Sequence, residues 1–177
     1  MKPEIHIRKA VASDLNKIEQ LYNEVCDYLS IHSNFPGWKK GVYPVREDAE
    51  KGLKEKALYI AQINGEIAGT FILKHKPEDG YKNGNWSTEN DYTRIYVIYT
   101  LAVHPDFLKQ GVATEMLMFA ERLAREEHCI SIRLDVVKGN VPADQLYQKC
   151  GYTFRGTVSL GYEAYGLPWY NLFEKVL

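Results

Sequence analysis

The stretch with the clearest chemical potential is Leu101-Ala-Val-His-Pro-Asp-Phe-Leu-Lys-Gln-Gly-Val-Ala-Thr114. It joins a β-branched, aromatic run to an amphipathic one. Gly111 and Ala113 are small enough to let main chain approach a ligand closely, and Thr114 follows as a helix begins. The unpaired N–H groups of a helix's first turn, with the helix dipole, attract an anion such as a pyrophosphate. The dipole contributes only about 0.3–1 kcal/mol, so oriented N–H bonds must carry most of the binding. The stretch contains no GxxxxGK[ST] and no GxGxxG, which excludes a P-loop and a dinucleotide fingerprint. On these residues alone, a plain strand-to-helix loop that Gly111 merely turns stays open.

A second stretch is more specific. Asn140-Val-Pro-Ala143-Asp-Gln-Leu146-Tyr147-Gln-Lys149-Cys-Gly151-Tyr152 resembles the N-x-x-A-x-x-L-Y-x-K-x-G-[FY] signature of the GCN5-related N-acetyltransferases. It follows the Gly111 turn at that family's interval, and the order of elements is similar across nearly the whole chain. The resemblance implies the acyl-CoA N-acyltransferase fold, a mixed, mostly antiparallel sheet flanked by helices on both faces. It implies that Gln110, Gly111, Ala113 and Thr114 present amides to the pyrophosphate of acetyl-CoA, the co-substrate. Leu101 and Val103 would hold the pantetheine arm through main-chain bonds, as an added strand does. Asn140 would hydrogen-bond that arm, and Tyr147 would sit near the sulfur. The family's phosphate motif usually opens with Gln or Arg where this chain has Leu108, so altered or weaker coenzyme binding is expected. The side chains of Lys109 and Gln110 are candidate substitutes.

Forming an amide from a thioester needs a neutral amine and a leaving thiolate that can be protonated. A lysine-like amine has a pKa of about 10.4, so neutralising it at pH 7 costs roughly 4–5 kcal/mol. Burial, or a base acting through water, must offset that cost. Tyr147 is the expected general acid, its phenol donating to the sulfur; packing beside Leu146 is the structural alternative. The family's usual base positions on the central strand hold Val97 and Tyr99, neither of them a base at neutral pH. His104, Glu24, Asp27 and His32 are weighed for that role, each with a solvated or capping role as the competing one, and a water chain is equally open. No base is assigned. Cys150 has no activating His beside it in sequence and is read as filling a small space.

The acceptor site is expected on loops. Phe35, Trp38 and Tyr43 lie in the first; Tyr81, Trp86 and Tyr92 in a long excursion; Tyr162, Tyr165 and Trp169 about the last hairpin. Such rings could line a pocket for an organic amine or simply pin their loops to the core. The leading reading is acetylation of a small-molecule primary amine. Acetylation of a protein N-terminus or lysine, and a catalytically silent acyl-CoA-binding module, are the alternatives.

The elements that position these residues follow from periodicity. Residues 4–9 alternate as a half-buried strand. Ser13 is the expected N-cap, with Asp14 in the first turn, of a helix whose apolar face is Leu15, Ile18, Leu21, Tyr22, Val25 and Leu29. Pro36, Gly37, Gly41 and Pro44 mark a loop, and residues 45–54 a short charged helix. Residues 57–63 and 66–74 are strands joined by Asn64-Gly65, which takes φ > 0 readily. Residues 75–94 form the excursion, 95–103 the central strand and 112–127 the second long helix, with Met116, Leu117, Phe119, Ala120 and Leu123 inward. A strand (130–136), a short helix (143–149) and two closing strands (153–159 and 169–176) complete the order β-α-α-β-β-β-α-β-α-β-β, which requires a mixed sheet covered on both faces.

The 177 residues, 45% hydrophobic, suit a single domain with a sizeable core. A formal charge of −1 argues against a nucleic-acid backbone binder. The cysteines Cys26, Cys129 and Cys150 form no metal-ligand spacing, so no metal is expected and a reducing compartment is the simplest reading. Lacking a signal-like or spanning apolar run, the chain reads as cytoplasmic and free of membrane; a homodimer stays open.

Overall fold

The computed structural model describes residues 3–177. The strands are β1 (His6–Lys9), β2 (Leu58–Ile63), β3 (Glu66–Lys74), β4 (Ile95–Val103), β5 (Ser131–Val137), β6 (Thr153–Val158) and β7 (Tyr170–Val176). The helices are α1 (Leu15–Ile31), α2 (Arg46–Lys54), α3 (Val112–Glu126) and α4 (Val141–Lys149). Apart from short 3₁₀ turns, this is the order expected from periodicity. The strands form one seven-stranded sheet in the order β1-β2-β3-β4-β5-β7-β6. Pairing is antiparallel for β1–β2, β2–β3, β5–β7 and β6–β7, and parallel for β4–β5.

By contact the chain divides into two compact units. The first, built from residues up to 34, 38–73 and 100–119, holds β1 to β3, the end of β4 and the start of α3. Its sheet is covered on both faces, because successive side chains of a strand alternate. A Cβ built on Gly52 of α2 would lie 3.2 Å from Ile72 side-chain atoms, whereas one on Gly69 would lie 3.0 Å from both Val112 and Met116 of α3. Residues 69 and 72 point to opposite faces of β3, so α2 and α3 do too. Phe71 and Tyr59, on the α3 side, pack against Phe119. Asn64 and Gly65 turn the β2–β3 hairpin at φ 51° and 82°.

One local expectation fails. Ser13 is exposed and caps nothing. Asp14 is the N-cap residue instead, without a side-chain bond to the helix: its carboxylate reaches back to accept the Val11 N–H at 2.8 Å and both terminal nitrogens of Arg8 at 2.8 and 2.9 Å. A charged pair outbids a hydroxyl for that position, since ionised hydrogen bonds are roughly twice as strong as neutral ones.

The second unit comprises residues 35–37, 74–99 and 120–177. Its centre is a buried ion pair. Arg133 on β5 and Glu174 on β7 are opposite each other in register, both side chains fully shielded, with Nε to Oε1 at 3.2 Å. The guanidinium also donates to Asn90 Oδ1 (2.7 Å), to the Tyr92 hydroxyl (2.8 Å) and to the Thr88 carbonyl (3.1 Å). Its plane lies 4.2 Å from the Trp86 ring centroid. The excursion is thus held by side chains from the strands beneath it.

Candidate active site

In the first unit, β4 leads directly into the phosphate-binding turn. Thr100, within β4, has a left-handed backbone at φ 49°, and the described β4–β5 register ends just before it, at Ile98↔Leu134. Leu101 and Val103 therefore come after the last β4–β5 pair. His104 ends the strand; its Nδ1 accepts the Asp106 N–H at 3.1 Å and starts a 3₁₀ turn over Pro105–Phe107. Its Nε2 is hydrogen-bonded to the Glu24 carboxylate from α1. The hydrogen bonds of Gln20 and then His104 hold the Glu24 pKa below its ordinary value.

Two residues of the turn are left-handed, Lys109 at φ 61° and Gly111 at φ 85°. Alternating right- and left-handed residues aim successive N–H groups into one concavity, the geometry of an anion nest. The N–H groups of Lys109, Gln110, Gly111, Val112, Ala113 and Thr114 make no well-formed hydrogen bond to any acceptor among the described residues. The first bond of the helix is the Glu115 N–H to the Gly111 carbonyl, at 3.0 Å. Gly69 lets the start of α3 come this close, for a Cβ there would lie 3.0 Å from Val112 Cγ1 and also 3.0 Å from the Ala102 carbonyl of β4. Leu108 is 40% exposed. The Gln110 side chain turns back onto the Asp106 carbonyl at 3.0 Å.

The second unit carries Asn140 and Tyr147. Asn140 is buried, and its Oδ1 accepts the Ala143 N–H at 3.3 Å, capping α4. That contact uses none of its amide hydrogens. Tyr147 is 8% exposed, its ring 6.0 Å from Tyr152 and 5.9 Å from Phe173 between centroids. Its hydroxyl has no hydrogen-bond partner among the described residues, and it is not among the sealed, unpartnered oxygens, which belong to Tyr22, Asp144 and Tyr152. Burial, and next the charge of Asp135, push its pKa well above the usual phenol value, so it stays protonated.

Asp135 of β5 had no place in the reading of the sequence. Its side chain is half-buried, and Oδ2 accepts the Tyr81 hydroxyl at 2.6 Å. Burial pushes its pKa up to about 6; the Tyr81 bond opposes that shift and the charge of Glu78 adds to it. The available signal was Arg133 and Asp135 two apart on one face of a strand whose other face is apolar. At the family's usual base positions, Val97 is fully buried in an apolar cluster with Tyr81, Val158 and Leu172. The Tyr99 hydroxyl donates to the Lys76 carbonyl at 2.6 Å. Asp27 pairs with Lys40 at the surface, and His32 bonds the Tyr28 carbonyl while stacking on that ring. Trp86 and Tyr92 serve the Arg133 anchor; Tyr165 and Trp169 are 61% and 51% exposed. Cys150 is half-buried and forms no disulfide among the described residues.

The chain belongs to the acetyltransferase (GNAT) family, whose sequence model matches residues 18–152. It is 30% identical over 138 residues to a streptothricin acetyltransferase of Escherichia coli, covering 75% of this chain and 71% of that protein. It is 26% identical over 170 residues to YesJ, an uncharacterised N-acetyltransferase of Bacillus subtilis (strain 168), covering 94% and 87%. A GNAT-family acetyltransferase from Streptococcus agalactiae 2603 shares the fold, with a TM-score of 0.80 at 20% identity over 98% of this chain and 95% of the other. The family uses acetyl-CoA as co-substrate and acts on amines. No described helix is long and apolar enough to cross a membrane.

Proposed function

We propose that this protein transfers the acetyl group of acetyl-CoA to a primary amine of a small molecule by direct attack on the thioester. The observation that carries the reading is the run of unsatisfied main-chain donors from Lys109 to Thr114 around left-handed Lys109 and Gly111. Exposed donors aimed at one point suit a diphosphate, and the residues of the turn fit that group without help from a cation.

In this reading Gln110, Gly111, Ala113 and Thr114 hold the pyrophosphate through their amides. Their main-chain contacts do not depend on what side chain stands at 108, so Leu108 weakens or alters coenzyme binding without abolishing it. Main-chain groups of Leu101 and Val103, and the amide of Asn140, align the pantetheine arm. Acetyl-CoA supplies an activated acyl carbon: the C–N bond forms there as the C–S bond breaks. Tyr147 gives its phenolic proton to the departing sulfur and regains one from the new amide nitrogen. The likeness to a streptothricin acetyltransferase supports a small-molecule acceptor over a protein one.

The test is a thiol-release assay with acetyl-CoA against panels of small amines and peptides, on wild type and Tyr147→Phe. Turnover of a small amine, with kcat lowered roughly a hundredfold or more in the variant, is expected. Tight acetyl-CoA binding with no turnover anywhere, or equal turnover by Tyr147→Phe, would overturn the reading.

A further inference from the structure

Some acids of the second unit are ion-paired, and others, Asp144 on α4 among them, are not. Glu174 is matched by Arg133 and Arg155, Glu121 by Lys175 and Arg125, Glu89 by Arg94. Asp135 and Glu78 have no ion partner among the described residues. Among the described residues their side-chain hydrogen bonds come from tyrosines, Tyr81 to Asp135 at 2.6 Å and Tyr162 to Glu78 at 3.4 Å. The titratable groups coupled to Asp135 are the carboxylate of Glu78 and the neutral phenols of Tyr81 from the excursion, Tyr99 from β4, Tyr147 from α4 and Tyr170 from β7. Of the cations nearby, Arg133, two residues away on β5, is committed to Glu174, Asn90, Tyr92 and Thr88, and Lys74 lies over the Tyr99 ring at 5.1 Å. Two unmatched, partly desolvated carboxylates repel each other and raise the free energy of the empty site until a positive charge enters.

A second observation comes from α4 of the same unit. The Tyr147 side chain is more than nine-tenths buried, its hydroxyl is unpartnered, and it feels the Asp135 charge. Given that this chain acetylates amines, the reading on which this inference rests, we propose that the acceptor is a small organic amine of net positive charge. Its ammonium sits against the free oxygen of Asp135, which takes its proton, and Glu78 supplies the second negative charge that selects the cation. In that step one N–H bond breaks and one O–H bond forms, leaving a neutral amine beside a carboxylic acid that returns its proton to water. Tyr81, by occupying Oδ2, orients the carboxylate so that Oδ1 is the basic oxygen. The tyrosine faces add cation–π attraction.

The experiment compares 1,5-diaminopentane, pentylamine and 6-aminohexanoate as acceptors in the thiol-release assay. It uses wild type, Asp135→Asn, Glu78→Gln and Tyr81→Phe, with acetyl-CoA affinity and thermal melting measured for each. Expected is a preference of at least a hundredfold in kcat/KM for the diamine over the amino acid, cut fivefold or more by Glu78→Gln. Asp135→Asn should lower kcat at least a hundredfold and erase the acid limb of the pH profile, with acetyl-CoA affinity unchanged. Tyr81→Phe should move that limb to higher pH. A preference below threefold, or an acid limb that survives in Asp135→Asn, overturns this inference while leaving an amine acetyltransferase in place. Failure to bind acetyl-CoA, or to turn over any amine, overturns both.

Discussion

Arg133→Met tests how the excursion is held. The substitution removes every donor of a fully shielded guanidinium and leaves Glu174, equally shielded, with an uncompensated share of its charge. Burial alone would raise the Glu174 pKa, but the bonds of Thr88 and Ser87 and the charge of Arg133 outweigh it, so the carboxylate is ionised in the wild type. Removing one member of a buried pair typically costs about 3–5 kcal/mol. The Arg155 Nε, 3.1 Å from Glu174 Oε2 and partly exposed, keeps the loss toward the lower figure. With about 2.1 cal/mol/K of unfolding entropy per residue, 177 residues give ~370 cal/mol/K, so the melting temperature should fall by roughly 8–13 °C. Calorimetric melts of Arg133→Met, Glu174→Met and the double variant provide the assay, with limited proteolysis near residues 87–92 as a local readout. The double variant should lose at least ~2 kcal/mol less than the two single losses combined, because it leaves no orphaned charge. A fall of less than about 3 °C in Arg133→Met, or strict additivity, would refute the reasoning.

Asp135→Asn should make the free protein more stable while it loses activity. The Asp135 pKa is raised from 3.8 to about 6 on folding, so its ionisation opposes folding fully above pH 6 and not at all below about pH 4. The shift of about 2 units corresponds to at most ~3 kcal/mol, or a melting temperature up to roughly 8 °C higher at pH 7.5 with no gain at pH 4. Equal gains at both pH values would contradict this. Gly111→Ala forces a side chain onto φ 85°, which costs about 1–2 kcal/mol. Calorimetry should show acetyl-CoA binding weakened at least fivefold, and unchanged affinity would remove the turn from the site.

Local features were legible in the sequence where the cause is local. Asn64-Gly65 makes its hairpin because both residues tolerate φ > 0. Gly111 turns the chain at the start of α3 for the same reason, and Met116, Leu117 and Ala120 are buried as their spacing requires. What stayed hidden depends on distant partners. Ser13 looked like a cap because nothing in the sequence says that Arg8 would reach Asp14. Glu24, read as solvated, and His104, read as solvated or capping, meet across 80 residues of chain. Asp135 looks like any charged residue until Tyr81, 54 positions earlier, is placed against it. Trp86 and Tyr92, candidate pocket walls in sequence, stack on an arginine that pattern alone would not bury.

The anchoring of the excursion bears on how such enzymes diversify. Residues 87–92 are tied to Arg133 on one strand and Glu174 on another, so the segment cannot be transplanted alone. A chimaera carrying this stretch into a relative must bring both strand positions with it, or strand an ion in the interior. Variation can proceed more freely in the exposed tip around Tyr165, where no such debt to the sheet exists.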